Sequence, residues 1–207
     1  MDNQLVDFGT FKMSENHIEK IKDIYNTHCK YGENVYHPIE EWGITKCPRN
    51  NNDRVKWAKL DEINFEGKTV LDIGCAGGFF TRYVKKAKAS YVTGVDFRGR
   101  GSPDPIHGCR TLAIEFKLWN GLEYVESDIT KWNKDNCLKA DIVFFLSLNF
   151  HVGIPDWLPN CTKDVLIFED NSKNRDADKT LKKMFKTVRF VGKALDHGDK
   201  PIYWCYV

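Results

Sequence analysis

The stretch Lys68-Thr-Val-Leu-Asp-Ile-Gly-Cys-Ala-Gly-Gly-Phe-Phe80 constrains this chain more than any other part of it. Val70, Leu71 and Ile73 form a short apolar run bounded by turn residues, which reads as a buried strand. The run enters a turn of small residues at 74–78 and then a helix. Gly and Ala let a backbone approach a ligand where a larger side chain would block it. Asp72 stands just before the turn, and Asp96 ends the next apolar strand, Tyr91-Val-Thr-Gly-Val-Asp96. In nucleotide-binding α/β folds an acid after the second strand binds a pair of ribose hydroxyls. A dinucleotide site wants G-x-G-x-x-G after the first strand. Glycines here stand at 74, 77 and 78, so that fingerprint fails.

Downstream the rhythm is strand, helix, strand. Strands are expected near 69–74, 91–96, 122–126, 140–147 and 164–169, and helices near 78–87, 108–118, 131–138, 154–158 and 176–186. Such alternation builds a parallel sheet covered on both faces. Two β-rich segments, 187–192 and 201–207, close the chain. Their connector, 193–200, is too short for a crossover, so they form an antiparallel hairpin. Ahead of the first strand, 14–30 reads as an amphipathic helix with Ile18, Ile21, Ile24 and Tyr25 on one face and Ser14 as its cap. Residues 53–63 read as a second helix with Asp53 at the N-cap. The chain thus divides into a helical extension, 1–66, expected to act as a lid, and a main domain, 67–207.

Composition bounds the rest. At 207 residues, 42% of them apolar, the chain is expected to fold around one sizeable core. A formal net charge of +2 neither demands nor excludes a nucleic-acid partner. Seven scattered cysteines without a C-x-x-C pair argue against disulfide and zinc frameworks, so no metal site is expected and a reducing cytoplasm fits best. No apolar run approaches the ~20 residues of a membrane span, and Met-Asp-Asn-Gln lacks the profile of a signal peptide.

Asp72, Gly74 and Gly78 match the pattern D-x-G-x-G-x-G, with Ala76 in the place of the middle glycine. On these residues the chain resembles the class I S-adenosylmethionine-dependent methyltransferases. The resemblance implies a Rossmann-like, seven-stranded, mostly parallel sheet with an antiparallel C-terminal hairpin and helices on both faces. It implies S-adenosylmethionine as cofactor, held by Asp72, Gly74, Cys75, Ala76 and Gly78 of the turn and by Asp96 and Phe97 after the second strand. Asp128 and Ile129 after the third strand would meet the adenine amino group and ring, unless Asp128 only caps the following turn. Ser147 at the end of the fourth strand completes the set. His151 follows that strand, where chemistry is expected in an open sheet. A histidine in that place suits a general base, with a structural capping role as the alternative.

Two narrower resemblances bear on the acceptor. Arg54-Val-Lys-Trp-Ala-Lys-Leu-Asp-Glu-Ile63 is similar to the segment that opens the RNA ribose 2′-O-methyltransferases, which use a Lys-Asp-Lys-Glu tetrad. Lys59 fits its first position. The fourth strand ends in Leu-Ser-Leu-Asn without the acid, Glu169 and Asp170 stand where the second Lys is expected, and the last strand offers no Glu. The Phe150-His151 pair and Glu169 are instead similar to features of the transferases that modify the tRNA wobble uridine. The acceptor implied is RNA, tRNA or another anionic substrate. A small-molecule methyltransferase and a cofactor-binding but inactive partner subunit are the alternatives. Arg98, Arg100 and Arg110, and the run Lys179, Lys182, Lys183, Lys186 and Arg189, either favour an anionic partner or form solvated faces. Tyr31, Trp42 and Trp57 either stack on a flat substrate or form the lid's own core.

Overall fold

A computed structural model describes residues 51–97, 105–115, 118, 120–173, 176–196 and 198–207, together with Glu19, Asp23 and the antiparallel pair β1 (Lys30–Tyr31) and β2 (Asn34–Val35). Most of the helix expected over 14–30, with Trp42, Arg98 and Arg100, lies outside the described residues. The main elements follow in order: α1 (Asn51–Trp57), a 3-10 turn (Leu60–Glu62), β3 (Thr69–Ile73), α2 (Phe79–Lys86), β4 (Tyr91–Asp96), α3 (Pro105–Glu115) and β5 (Leu122–Glu126). A second 3-10 turn (Ile129–Lys131) precedes β6 (Ala140–Leu146), α4 (Asn149–Val152), α5 (Leu158–Cys161), β7 (Thr162–Glu169), α6 (Ala177–Met184), β8 (Thr187–Ala194) and β9 (Lys200–Tyr206).

The sheet has seven strands in the order β5-β4-β3-β6-β7-β9-β8. Neighbours from β5 to β7 run parallel, while β9 inserts between β7 and β8 and is antiparallel to both. The terminal hairpin therefore forms as its short connector requires. The chain reverses direction across the sheet between β3 and β6, and a ligand crevice opens outside the carboxyl ends of strands at such a switch point.

Alternation along the central strands creates two cores. Val70, Ile142, Phe144 and Ile167 face one way and pack with Phe80 and Val84 of α2 and Cys109 of α3. Leu71, Ile73, Val143, Phe145, Leu166 and Phe168 face the other way and pack with Trp157, Leu158 and Leu181. Residues after α1 join the first core: Ala58, Leu60 and Phe65 are buried in it, and the Trp204 indole donates to the Ala58 carbonyl at 3.1 Å. Gly192 permits this docking, because a Cβ there would lie 2.4 Å from the Trp57 carbonyl oxygen.

Local expectations fail where side chains compete with the helix. The segment 131–138 is not helical. Asn136 Oδ1 accepts the Asn133 N–H at 2.7 Å, and Asn133 Oδ1 accepts those of Asp135 and Asn136. Such local bonds offer the backbone an alternative to helical pairing. The short helix expected at 154–158 starts instead at Leu158, with Pro159 in its first turn, where a missing N–H costs nothing. Likewise α3 begins three residues early, on Pro105. Helix α1 begins at Asn51, so Asp53 is not its N-cap but lies in its first turn, where its charge still suits the helix dipole. No described helix is long and apolar enough to cross a membrane.

Candidate functional site

The turn after β3 is held from both sides. The N–H groups of Gly74 and Cys75 donate to the Val95 carbonyl at 2.7 and 3.0 Å, tying the turn to β4. Its own carbonyls are also bonded. Cys109 Sγ donates to Ala76 O at 3.0 Å, Arg82 Nη1 to Gly77 O at 2.7 Å, and Thr81 Oγ1 to Gly78 O at 2.7 Å. Gly74, Ala76 and Gly78 have φ of 75°, 45° and 68°. Only Gly adopts that region freely, so Ala76 carries strain. The space left by the missing side chains is not all reserved for a ligand. A Cβ at Gly74 would meet Leu148 at 2.6 Å, and one at Gly78 would meet the Tyr124 hydroxyl at 2.6 Å and Cys109 Sγ at 2.9 Å. The glycines are needed first for packing inside the protein. Cys75 belongs to the same packed layer, its thiol buried and pushed well up by burial and by Cys109.

Two acids flank the turn. Half-buried Asp96 accepts the Ala76 N–H on Oδ2 and the Phe97 N–H on Oδ1, each at 2.7 Å. Burial raises its pKa against the pull of those two N–H groups. Each oxygen keeps a lone pair free, so a pair of hydroxyls still finds acceptors there. Asp72 is only 2% exposed, and its Oδ2 has no hydrogen-bond partner among the described residues. Burial, then the charge of Asp96, pushes its pKa up to about 7, against Arg54 and a backbone N–H from Thr81.

At the ends of β4 and β5, an open cleft of about 520 Å³ is lined by Phe97, Glu126, Ser127, Asp128, Lys131 and Trp132, among others. Asp128 does cap the following turn, accepting from Thr130 N and Oγ1 at 3.1 and 2.6 Å, and those bonds lower its pKa. It lines the cleft as well, so capping and ligand contact do not exclude each other here. Ile129 is half-buried against the second core, and Trp132 supplies an apolar wall of the cleft.

Ser147 leads to a group of residues that sequence reasoning did not bring together. It is buried, with φ of 58°, and its hydroxyl donates to Glu169 Oε1 in a very short bond. Arg54 Nη2 donates to Glu169 Oε2 at 2.5 Å and reaches Ser147 Oγ at 3.5 Å. Lys200 Nζ lies 3.4 Å from Ser147 Oγ and 3.7 Å from Glu169 Oε1. Arg54, Glu169 and Lys200 are 3%, 1% and 5% exposed. Burial alone would raise the Glu169 pKa, but Arg54, Ser147 and Lys200 outweigh it and hold the carboxyl below its ordinary value. The signal was present: an acid ending the apolar run Val-Leu-Ile-Phe-Glu169 needs a cation, since an unpaired buried charge is costly. Lys59, the residue that fits the ribose tetrad, pairs with Glu62 at 3.2 Å and is partly exposed. Arg54 takes the place beside the strand ends instead.

A stitched wall follows. Asn149 Nδ2 donates to Asp170 at 2.7 Å, Asn171 N donates to Asn149 Oδ1 at 2.8 Å, and Asn171 Nδ2 reaches the Ser147 carbonyl at 2.5 Å. On that wall α4 carries Phe150 and His151 to the surface, their rings perpendicular with centroids 5.3 Å apart. The His151 side chain makes no hydrogen bond among the described residues, so it caps no described helix. Of the basic residues, Arg110 spends its guanidinium on the Tyr124 carbonyl at 2.8 Å. Lys182 pairs with Asp178, and Arg189 lies over the Trp204 ring. Lys179, Lys183 and Lys186 are exposed.

The model of the FtsJ-like methyltransferases matches residues 55–164. The chain belongs to that family. Among curated proteins, the ubiquinone biosynthesis O-methyltransferase of Vibrio vulnificus (strain YJ016) is 32% identical over 89 residues, 43% of this chain and 35% of that protein. Its counterpart in Vibrio parahaemolyticus serotype O3:K6 (strain RIMD 2210633) is 33% identical over the same length. The match spans only about a third of the length of these relatives. Among solved structures, WbdD, described as a bifunctional kinase-methyltransferase, superposes with a TM-score of 0.67 at 21% identity, covering 91% of this chain and 46% of that one. The N-terminal domain of EvdMO1 with SAH bound gives 0.63 at 11% identity, covering 96% and 99%. At such identities these two likenesses show the fold alone.

The cofactor of the class I fold is S-adenosylmethionine, and the residues present suit it. The unpartnered oxygen of buried Asp72 seeks a cationic partner such as an α-amino group. Asp96 retains acceptor capacity for ribose hydroxyls, and the cleft bearing Phe97, Asp128 and Trp132 offers a flat ring both polar and apolar contacts. When bound, S-adenosylmethionine supplies a methyl group on a sulfonium, an activated leaving group.

Proposed function

We propose that this protein is an S-adenosylmethionine-dependent methyltransferase acting on an anionic acceptor, RNA or tRNA in the first instance. The observation that carries the reading is His151, exposed in α4 just after the carboxyl end of β6, its ring without a hydrogen bond among the described residues. From there its imidazole would take the proton of an acceptor hydroxyl or ring nitrogen, while the bound cofactor would supply the methyl group and its leaving group. Ser147 and Asn149, locked by Glu169 and Asp170, fix the strand end on which His151 stands. Holding nucleophile and methyl in line can itself supply roughly 7–11 kcal/mol of the barrier.

The tetrad mechanism of ribose methylation finds little support. Strand β7 contributes an acid, Glu169, and the last strand, β9, a cation, Lys200, and both are buried in one ion cluster. A second reading, a small-molecule acceptor, is favoured by the local likeness to O-methyltransferases named for ubiquinone biosynthesis. Turnover of methyl-labelled cofactor against fractionated RNA and metabolites separates the two, and no transfer to any fraction would point to an inactive partner subunit. With the labelled acceptor in hand, His151→Ala should lower turnover by ~10²–10⁴ and leave cofactor affinity nearly intact. A loss confined to cofactor binding would refute the assignment.

A further inference from the structure

Phe150 stands out on the stitched wall. It is 54% exposed, although a Phe ring is ordinarily a core side chain. Its exposure is not the slackness of a loop. The Phe150 N–H donates to Asn171 Oδ1 at 2.8 Å, and Asn171 is in turn bonded to Asn149 and to the Ser147 carbonyl. The Lys173 ammonium lies over the Phe150 ring, 5.9 Å from its centroid, and His151 meets the ring at right angles. Lys173 is exposed and makes no ion pair among the described residues. Two acids stand three residues from it: Asp170 is buried and already accepts from Asn149, Ser172 and the Ala177 N–H, and exposed Asp176 forms no ion pair with Lys173. An exposed aromatic ring on an anchored backbone, with a cation against it that makes no ion pair among the described residues, suits one kind of ligand: a flat ring that stacks on the open face and carries a negative charge.

We infer that Phe150 and Lys173 form the acceptor platform, and that the acceptor is a planar, anionic molecule whose reacting atom is laid beside His151. The inference rests on the methyltransferase reading and narrows its substrate class. Phe150 fixes the plane of the ring, and Lys173 holds its charge. One chemistry here has two sources, a nucleotide within an RNA strand and a free aromatic acid.

Titration of the full chain, saturated with S-adenosylhomocysteine, tests the platform with two probes: a uridylate dodecamer and 3,4-dihydroxybenzoate. At least one should bind. Phe150→Ala should weaken that binding about tenfold or more, as expected for the loss of one stacked ring, and Phe150→Trp should retain it. Lys173→Gln should weaken it and flatten its dependence on salt. Because both side chains are exposed, melting temperature and S-adenosylhomocysteine affinity should stay unchanged. Binding of the dodecamer alone identifies a nucleic-acid acceptor, and binding of the benzoate alone a free aromatic acid. Either result supports the platform. Wild-type affinity in both Phe150→Ala and Lys173→Gln would overturn it, as would a wild type that binds neither probe. A wild type that fails to bind S-adenosylhomocysteine would instead overturn the methyltransferase reading beneath it.

Discussion

Replacing Asp72 by Asn should stabilise the cofactor-free protein while weakening its hold on the cofactor. The carboxyl is 2% exposed and its pKa is pushed up to about 7, from an ordinary 3.8. Below that ordinary value both folded and unfolded chains are protonated, and the site imposes no penalty. As pH rises from there to about 7, the unfolded chain releases its proton and the folded chain keeps it. Stability therefore falls over that window and levels off above it. Three pKa units correspond to roughly 4 kcal/mol at 1.36 kcal/mol per unit. Asn can still accept the Thr81 N–H, but it places an NH₂ group where Oδ2 has no partner, at a cost of about 1–3 kcal/mol. That cost does not vary with pH. The stability gap between variant and wild type should thus widen by about 2–3 kcal/mol between about pH 5 and pH 8.5. Urea denaturation of the cofactor-free proteins at the two pH values reads this directly. A gap that stays constant would show that Asp72 is ionised in the fold, and would refute the account of it as a carboxyl awaiting a cation. Calorimetry with S-adenosylmethionine gives the other half, since the variant should bind more weakly.

Two further substitutions probe the neighbouring elements. Arg54→Met leaves Glu169 buried with Lys200 as its only charged partner among the described residues and should cost about 3–5 kcal/mol in chemical denaturation; a loss below about 1 kcal/mol would mean the cluster relaxes freely. In the wild type the lowered Glu169 pKa contributes stability that is present above its ordinary pKa of 4.5 and lost as pH falls through the folded value. Glu169→Gln should therefore flatten the acid limb of the stability curve. Ala76→Gly removes a left-handed strain of about 1–2 kcal/mol but adds roughly 0.5–1 kcal/mol of chain entropy, so a small net gain in stability is expected. A clear loss would show that the Ala76 methyl packs against something it needs.

The strand pattern of this fold was legible because each central strand is buried on both faces. Runs such as Val70-Leu71 and Val143-Phe144-Phe145 are apolar without interruption, and one residue feeds each core in turn. The turn after β3 was legible for a different reason: its positive φ angles at 74 and 78 admit little besides glycine. What escaped were short elements whose fate depends on competing side chains, as with Asn133 and Asn136, or on where a proline falls, as with Pro159. The ion cluster escaped because its members are far apart in sequence. Arg54 and Glu169 are separated by 115 positions, and periodicity carries no information about such a pair.

That cluster also decides what the segment before β3 does. Arg54 reaches from α1 to the ends of β6 and β7, and its guanidinium lies over Phe80, 5.6 Å from the centroid of a ring in α2. Behind it Ala58, Leu60 and Phe65 fill the first core. Swinging this segment away would expose those side chains and strip Glu169 of its closest cation, costs that together are comparable to the whole stability of a typical domain. Residues 51–65 are thus anchored on the sheet by Arg54 and by the packing of Ala58, Leu60 and Phe65. The same guanidinium lowers the pKa of both Asp72 and Glu169, so it stands between the turn after β3 and the end of β7. In the wild type, cofactor binding should protect the protein less at acid than at neutral pH, because a bound cation favours the ionised Asp72 carboxylate; Arg54→Met removes a charge that lowers the Asp72 pKa and should move that dependence to higher pH.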